Sequence, residues 1–167
     1  MKLFNIWTVL TVMIFASTAF AADEYKGKYE DKVKENDATI GVIAGVINYV
    51  CPKLVDASTK ICNAKDPVGS AVGIQKQMGD IEELDAMDSK EQAAFLKKQK
   101  ILHIDAAMQF WDAVEQFKQH YPLRAKAQEL AKAGKYQDAL LNEEMAWQYL
   151  VKTASRGIFA QKMVDGK

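Results

Sequence analysis

The chain has 167 residues, with 22 basic and 22 acidic side chains, two cysteines, two histidines, three prolines and nine glycines. This length is typical of one domain with a sizeable core. Because 49% of the residues are apolar and 26% are charged, the composition excludes a disordered chain and a multi-span membrane protein. A formal net charge of zero and only two arginines argue against nucleic-acid binding.

The N-terminal segment has the three parts of a secretory signal peptide. Lys2 gives a positive start, an apolar run follows, and Ala19 and Ala21 occupy the −3 and −1 positions of an A-x-A cleavage site. We therefore predict that residues 1–21 are cleaved and that the protein is exported to a bacterial periplasm. An uncleaved anchor is the alternative, because the apolar and small residues from 6 to 22 are just long enough to span a membrane.

The predicted mature chain begins with a charged segment, residues 22–36. Its pattern allows either a solvated helix or a frayed arm. We expect residues 37–167 to form a single all-α domain. After signal cleavage we expect no membrane span, and the partners are expected to be other envelope proteins or further copies of this chain, not nucleic acid.

The domain opens with an apolar run at residues 38–50, for which Asp37 is the predicted N-cap. The run is apolar on nearly all sides, which favours a buried helix, although its β-branched residues also permit a strand. Gly41 and Gly45 form a G-x-x-x-G pair, a spacing that lets two helices approach closely.

Capping residues and prolines predict where the later helices begin. Asp66 and Pro67 suit the N-cap and first position of a helix that continues to about Met78. Asp88, with Glu91 three positions later, is typical of a capping box.

The helix that starts at Asp88 is predicted to end at about His120, because Tyr121-Pro122 follows. Two further predicted helices complete the chain. One covers residues 123–133 and stops at Gly134, and the last covers residues 136–163. The predicted buried faces comprise Ala94, Ile101, Ile104, Met108, Trp111, Phe110, Val114, Phe117 and Tyr121, followed by Leu140, Trp147, Leu150, Val151, Ala154 and Ile158. The sequence therefore predicts an all-α, bundle-like domain of about four to six helices.

The segment from Gly134 to Ala139, with the sequence Gly-Lys-Tyr-Gln-Asp-Ala, and Ala146 seven positions later resemble the second half of a tetratricopeptide repeat. In that repeat a glycine closes the first helix and spaced alanines allow close helix packing. The resemblance covers residues 123–150, without a second copy at the 34-residue period of such arrays. It implies an antiparallel helical hairpin over residues 123–163.

Cys51 and Cys62 are the only cysteines, and an even pair in an exported chain usually forms a disulfide. On one continuous helix their Cα atoms would lie about 16 Å apart, too far for a bond. The chain is therefore predicted to turn between them, at residues 56–59. Such a bridge contributes roughly 3 kcal/mol in the chain-entropy model. The absence of a C-x-x-C motif argues against a redox role.

Side chains that could carry chemistry match no catalytic or metal-binding motif. His103 and His120 could bind a metal, with methionines as soft partners, but their spacing fits no ligand pattern. The mature serines lie in no G-x-S-x-G elbow, and the acidic run from Asp80 to Asp88 does not match an EF-hand loop. We therefore expect no enzymatic activity, no metal and no cofactor.

Two functions follow from these observations. The first is an exported, non-enzymatic helical protein that acts through protein contacts, as an accessory or structural subunit of a cell-envelope assembly. Its candidate interface is Phe110, Trp111, Phe117 and Tyr121, since aromatic residues are common interface anchors, although a core role is the competing interpretation. The alternative is a periplasmic carrier of a metal, haem or small apolar ligand. Its ligand-binding residues would be His103, His120, Met78, Met87, Met108, Met145 and Met163.

Overall fold

The computed structural model describes residues 4–166, and the side chains of residues 23–80 and 82–166. Its helices are α1 (Phe4–Leu54), α2 (Pro67–Met78), α3 (Ile81–Ala86), α4 (Ser89–Lys98), α5 (Ile104–Lys132) and α6 (Tyr136–Val164), with a 3-10 turn at Ala57–Thr59. Within this range the only β pairing is an isolated bridge between Val55 and Ile101. The predicted all-α bundle is confirmed.

The predicted signal peptide lies largely outside this description. Residues 1–3 are not described, and of residues 4–22 only the helical backbone is. Among the described residues, no helix combines the length and the apolar character needed to cross a membrane.

The C-terminal antiparallel hairpin that the sequence predicts is formed by α5 and α6. Gly134 follows α5 with a φ of 73°, a conformation that glycine adopts without strain, and the chain reverses there. Arg124 of α5 bonds Glu143 of α6 near the turn, with 3.1 Å between Nε and Oε2. Arg156 and Asp112 bond at the other end, 3.0 Å apart, which fixes the antiparallel alignment.

Helix α1 packs against α6 in a parallel direction. Near the beginning of α6, the rings of Tyr29 and Tyr136 lie 6.1 Å apart. Beyond its end, the Lys53 ammonium bonds the Asp165 carboxylate at 2.6 Å. Since residue numbers rise together along both helices, α1 and α6 run parallel, and α6 contacts both α1 and α5 along its length.

The three long helices bury seams whose residues alternate at spacings of three and four, the pattern of left-handed coiled-coil packing. On α6 the buried residues are Ala139, Glu143, Ala146, Leu150, Thr153, Gly157 and Ala160. On α5 the seam is Ala106, Phe110, Ala113, Phe117, His120 and Ala127. Because small residues dominate the α6 seam, both neighbouring helices can approach α6 closely.

The predicted buried face of α6 needs correction. Leu150 is fully buried, but Val151 and Ile158 are 40% and 42% exposed. The prediction followed the largest apolar side chains, whereas two helices pack on the row of alanine, glycine and threonine. The bulky residues beside that row are therefore left facing outward.

The predicted helix from Asp88 to His120 is two helices, α4 and α5, and α5 continues through Pro122. A proline inside a helix removes one hydrogen bond and costs about 3 kcal/mol. The buried seam nevertheless continues on both sides of it, with His120 before and Ala127 after. Packing against α6 thus outweighs the local cost of the proline.

Helix α1 also differs from prediction, because it passes through Asp37 without interruption. Asp37 is not an N-cap; its carboxylate instead bonds the Arg124 guanidinium at 2.9 Å. Residues 23–36 are helical, with ion pairs one turn apart such as Lys28 with Glu24 at 2.6 Å. The run at 38–50 is likewise helical, which excludes the strand alternative.

Other local predictions are confirmed. Cys51 and Cys62 form a disulfide with 5.7 Å between their Cα atoms, and the chain turns between them at Ala57–Thr59. The Asp66 carboxylate accepts from the Gly69 N–H at the start of α2. Asp88 forms a capping box at the start of α4.

Candidate protein-interaction face

The four aromatic residues of the predicted interface lie at different depths. Phe110 and Phe117 are 1% and 6% exposed and belong to the core. Trp111 is half-buried against that core. Tyr121 is 49% exposed, and its ring meets the Phe117 ring edge-on at 5.5 Å. The predicted interface therefore needs correction: the two phenylalanines belong to the buried seam of α5 and do not face solvent.

Other apolar side chains face outward, chiefly on α6. Those that are at least two-fifths exposed are Leu141, Met145, Val151, Ile158 and Phe159 on α6, Val42 and Tyr49 on α1, and Leu102 before α5. Single exposed apolar residues are ordinary on a protein surface, whereas large contiguous apolar patches are typical of interaction sites. The sequence contains this signal as a second apolar row on α6, which periodicity alone does not distinguish from the buried one.

A groove of about 620 Å³ runs along α6 beside α1, and we call it the outer groove. Its lining residues are Thr39 of α1 and Val151, Ala154, Ser155, Arg156, Ile158, Phe159 and Lys162 of α6. Val42 lies three positions after Thr39, and so on the same face of α1. The outer groove therefore takes its lining residues from both helices.

Gly157 brings the two helices together beneath this surface. A Cβ atom on Gly157 would lie 3.0 Å from Cγ1 of Val46, closer than ordinary contact. Gly41 and Gly45, the predicted close-packing pair, have open space at their Cβ positions, with nothing within 4 Å. In the described part of the chain, that pair therefore contacts no helix, and the close approach depends on Gly157 instead.

The charge of this surface is one-sided. Residues 145–164 contain three basic side chains, Lys152, Arg156 and Lys162, and no acidic one, while residues 38–52 contain no charge at all. The Arg156 guanidinium is already engaged on α5, 3.0 Å from the Asp112 carboxylate. Lys162 is exposed and lines the outer groove. The outer groove thus combines the apolar side chains Val151, Ile158 and Phe159 with the basic Arg156 and Lys162.

A second cluster is buried and polar. The Glu143 carboxylate is fully buried and accepts from the Asn36 amide at 2.5 Å and from Arg124 Nε at 3.1 Å. Asp37 binds the other side of that guanidinium. Burial and the nearby Glu143 charge raise the pKa of Tyr29. This cluster takes one side chain or more from each long helix, so it can set their alignment.

The two histidines are not brought together. His103 is exposed and precedes α5, whereas His120 is 2% exposed within it, roughly 25 Å away along the helix. Nδ1 of His120 hydrogen-bonds the Phe117 carbonyl. Among the described residues, no group of three or more His, Cys, Asp or Glu side chains is arranged to hold a metal.

The interior contains one further feature, an apolar cavity between α1, α2, α5 and α6. It measures about 20 Å³, and its lining includes Ile43, Phe110, Ala113 and Gly157. This is roughly the space that a single water molecule needs. A haem would fit there only if the helices separated.

Comparisons with known proteins give no match: no protein-family model fits the chain, and no curated protein or solved structure is similar to it.

Proposed function

We propose that this chain is an exported, non-enzymatic helical protein that acts through contacts with other proteins, as an accessory or structural subunit of a cell-envelope assembly. The observation that carries the proposal is the row of exposed apolar side chains on α6, next to an uncharged length of α1. Covering one such side chain contributes about 1.5–3 kcal/mol relative to leaving it in water. Ile158 and Phe159, adjacent in the outer groove, are the expected anchors of the contact.

The proposed location has separate support. The N-terminal sequence has the pattern of a cleavable leader, and the Cys51–Cys62 disulfide persists in oxidising compartments such as the periplasm. The two observations are independent, since one concerns the leader and the other the folded domain.

The alternative, a periplasmic carrier of a metal, haem or small apolar ligand, has one favourable observation, the apolar interior cavity. Its volume restricts an occupant of the closed bundle to a very small molecule. Absorbance and elemental analysis of protein purified from its own host would favour this alternative if they revealed a stoichiometric ligand.

Site-specific photo-crosslinking in the native host tests the proposal. A photoreactive residue at position 158 should capture one partner of defined mass, because this side chain is exposed in the outer groove. The same residue at position 102 is the matched control, since Leu102 is 55% exposed but does not line that groove. Failure to capture any protein from positions 42, 151, 158 and 159 would contradict the proposal, as would the same adducts from position 102.

A further inference from the structure

We infer that the outer groove binds an amphipathic helix of a partner protein whose apolar side is bordered by acidic residues. The inference rests on the proposed function and specifies the chemistry of the partner. It follows from the shape of the groove, from its one-sided charge and from the poor fit of other occupants.

The shape favours a helix. α1 and α6 run parallel with a valley between them, and the apolar side chains Val151 and Ile158 are seven positions apart, two turns along the valley. A helix that presents apolar side chains at spacings of three and four would place them successively against this row. Thr39 forms the opposite wall, and Val42, three positions later on α1, is 55% exposed.

The charge favours acidic flanks. Lys152 and Lys162 lie on α6 in a run, residues 145–164, that contains no acidic residue; Glu144 and Asp165 border the run, and Asp165 already bonds Lys53. Acidic residues on the partner would complement these lysines. Rim ion pairs add little free energy, about 0.2–1 kcal/mol each, but they select among partners and speed association.

A membrane surface fits less well. Juxtamembrane basic segments that bind anionic lipid carry about four to eight basic residues. Here there are three, and one of them, Arg156, already bonds Asp112. The apolar row also lines a groove, which receives a rod more readily than a flat bilayer.

A second copy of the chain fits less well for a different reason. A symmetric contact through this face would oppose Lys152 and Lys162 to the same residues of the other copy, and like charges repel.

A peptide-display selection against the exported, disulfide-bonded protein tests the inference. The library consists of 18-residue helical peptides with random composition. We expect enriched peptides to share apolar residues at spacings of three and four, bordered by Asp or Glu. Ile158→Asp should weaken a selected peptide at least about tenfold, as expected for an anchor residue. Leu102→Asp should leave its binding unchanged, and thermal melting must show both variants folded.

A charge exchange isolates the electrostatic part. Lys162→Glu should weaken the binding of an acidic peptide about threefold to tenfold. A peptide in which the facing Glu is replaced by Lys should regain affinity for that variant. The inference would be overturned if the enriched peptides were neutral or basic, or if no peptide were enriched. It would also be overturned if Ile158→Asp left peptide binding unchanged. Capture by vesicles containing anionic phosphatidylglycerol would overturn it too, as would a protein dimer that Ile158→Asp dissociates.

The two proposals fail separately. If crosslinking from position 158 captures a partner through a segment that is not an acidic helix, the inference is wrong and the proposed function stands. If crosslinking captures no partner, the proposed function fails regardless of the peptides selected.

Discussion

Asn36 of α1 and Glu143 of α6 are joined by a hydrogen bond of 2.5 Å, and neither side chain is exposed to solvent. The same Asn36 amide also donates to the Glu143 backbone carbonyl at 3.0 Å. Arg124 approaches from α5 and completes the cluster. A buried polar contact of this kind favours one alignment of packed helices, because a shifted register would leave its members unpaired.

Replacing Glu143 with alanine should strongly destabilise the bundle. The change removes the buried partner of the Arg124 charge, which is only 15% exposed, and leaves it only the exposed Asp37; the buried Asn36 amide also loses its carboxylate acceptor. Removing one member of a buried pair typically costs about 3–5 kcal/mol in the free energy of unfolding. Urea denaturation of wild type and Glu143→Ala measures the loss, and a cost below about 1 kcal/mol would contradict this account.

The matched control replaces all three buried members, as Asn36→Leu, Arg124→Met and Glu143→Leu together. Since no buried charge or amide then remains unpaired, the triple variant should be about as stable as wild type, or more so. Its helix alignment should be less specific. Crosslinks between engineered cysteine pairs on α1 and α6 would detect this, with the native Cys51–Cys62 disulfide left intact so that only the engineered thiols react.

Gly45 and Gly157 should respond oppositely to alanine. Gly45 is an exposed helical position with no atom near its Cβ site, so Gly45→Ala should stabilise the protein by about 0.5–1 kcal/mol. At Gly157 the new methyl would meet Val46 at 3.0 Å, so the same gain should be absent or reversed. Thermal melting compares the two variants directly, and equal stabilisation at both positions would show that α1 and α6 are not closely packed there.

Removing the disulfide should lower stability without changing the fold. Cys51→Ala with Cys62→Ala frees a loop of eleven positions, and the expected loss is about 3 kcal/mol. Reductant should produce a similar loss in the wild type and none in the double variant. A melting midpoint of the wild type that is indifferent to reductant would argue that the loop constrains the unfolded chain very little.

Acid should destabilise the bundle partly through His120. Burial lowers the pKa of His120 below its ordinary value of 6.5; the Phe117 carbonyl opposes this shift, and the Arg124 charge adds to it. The unfolded chain then binds a proton more readily than the folded one, so the stability contribution is complete above pH 6.5 and is lost as the pH falls towards the lower folded pKa.

The measurement is the melting temperature between pH 7.5 and 5 for wild type and His120→Gln. The wild type should lose more stability over this range than the variant. His103→Gln, which alters the exposed histidine, should follow the wild type. Parallel curves for wild type and His120→Gln would indicate that His120 does not contribute to the acid sensitivity.

Features set by a few neighbouring residues were predictable from the sequence. Asp66, Asp88 and Gly134 act at helix ends through hydrogen bonds and backbone conformations that involve only adjacent positions. The turn between Cys51 and Cys62 was predictable because a disulfide cannot join two residues that far apart on one helix.

Features that depend on packing were not predictable in the same way. Pro122 is a local stop signal, yet α5 continues through it because the seam on α6 holds both sides. Similarly, α6 has two apolar rows, and sequence periodicity does not say which one another helix covers. The smaller residues were buried, so the candidate face moved from Phe110 and Phe117 to Ile158 and Phe159.

The continuity of α1 across the predicted cleavage site bears on maturation. A cut after Ala21 would place Asp23 and Glu24 in the first turn of the shortened helix, where negative charge suits the helix dipole and contributes about 0.3–1 kcal/mol per residue. The ring contact of α1 with α6 at Tyr29 lies beyond the cut and would be retained. Removal of the leader would thus leave a helix start whose electrostatics are already favourable.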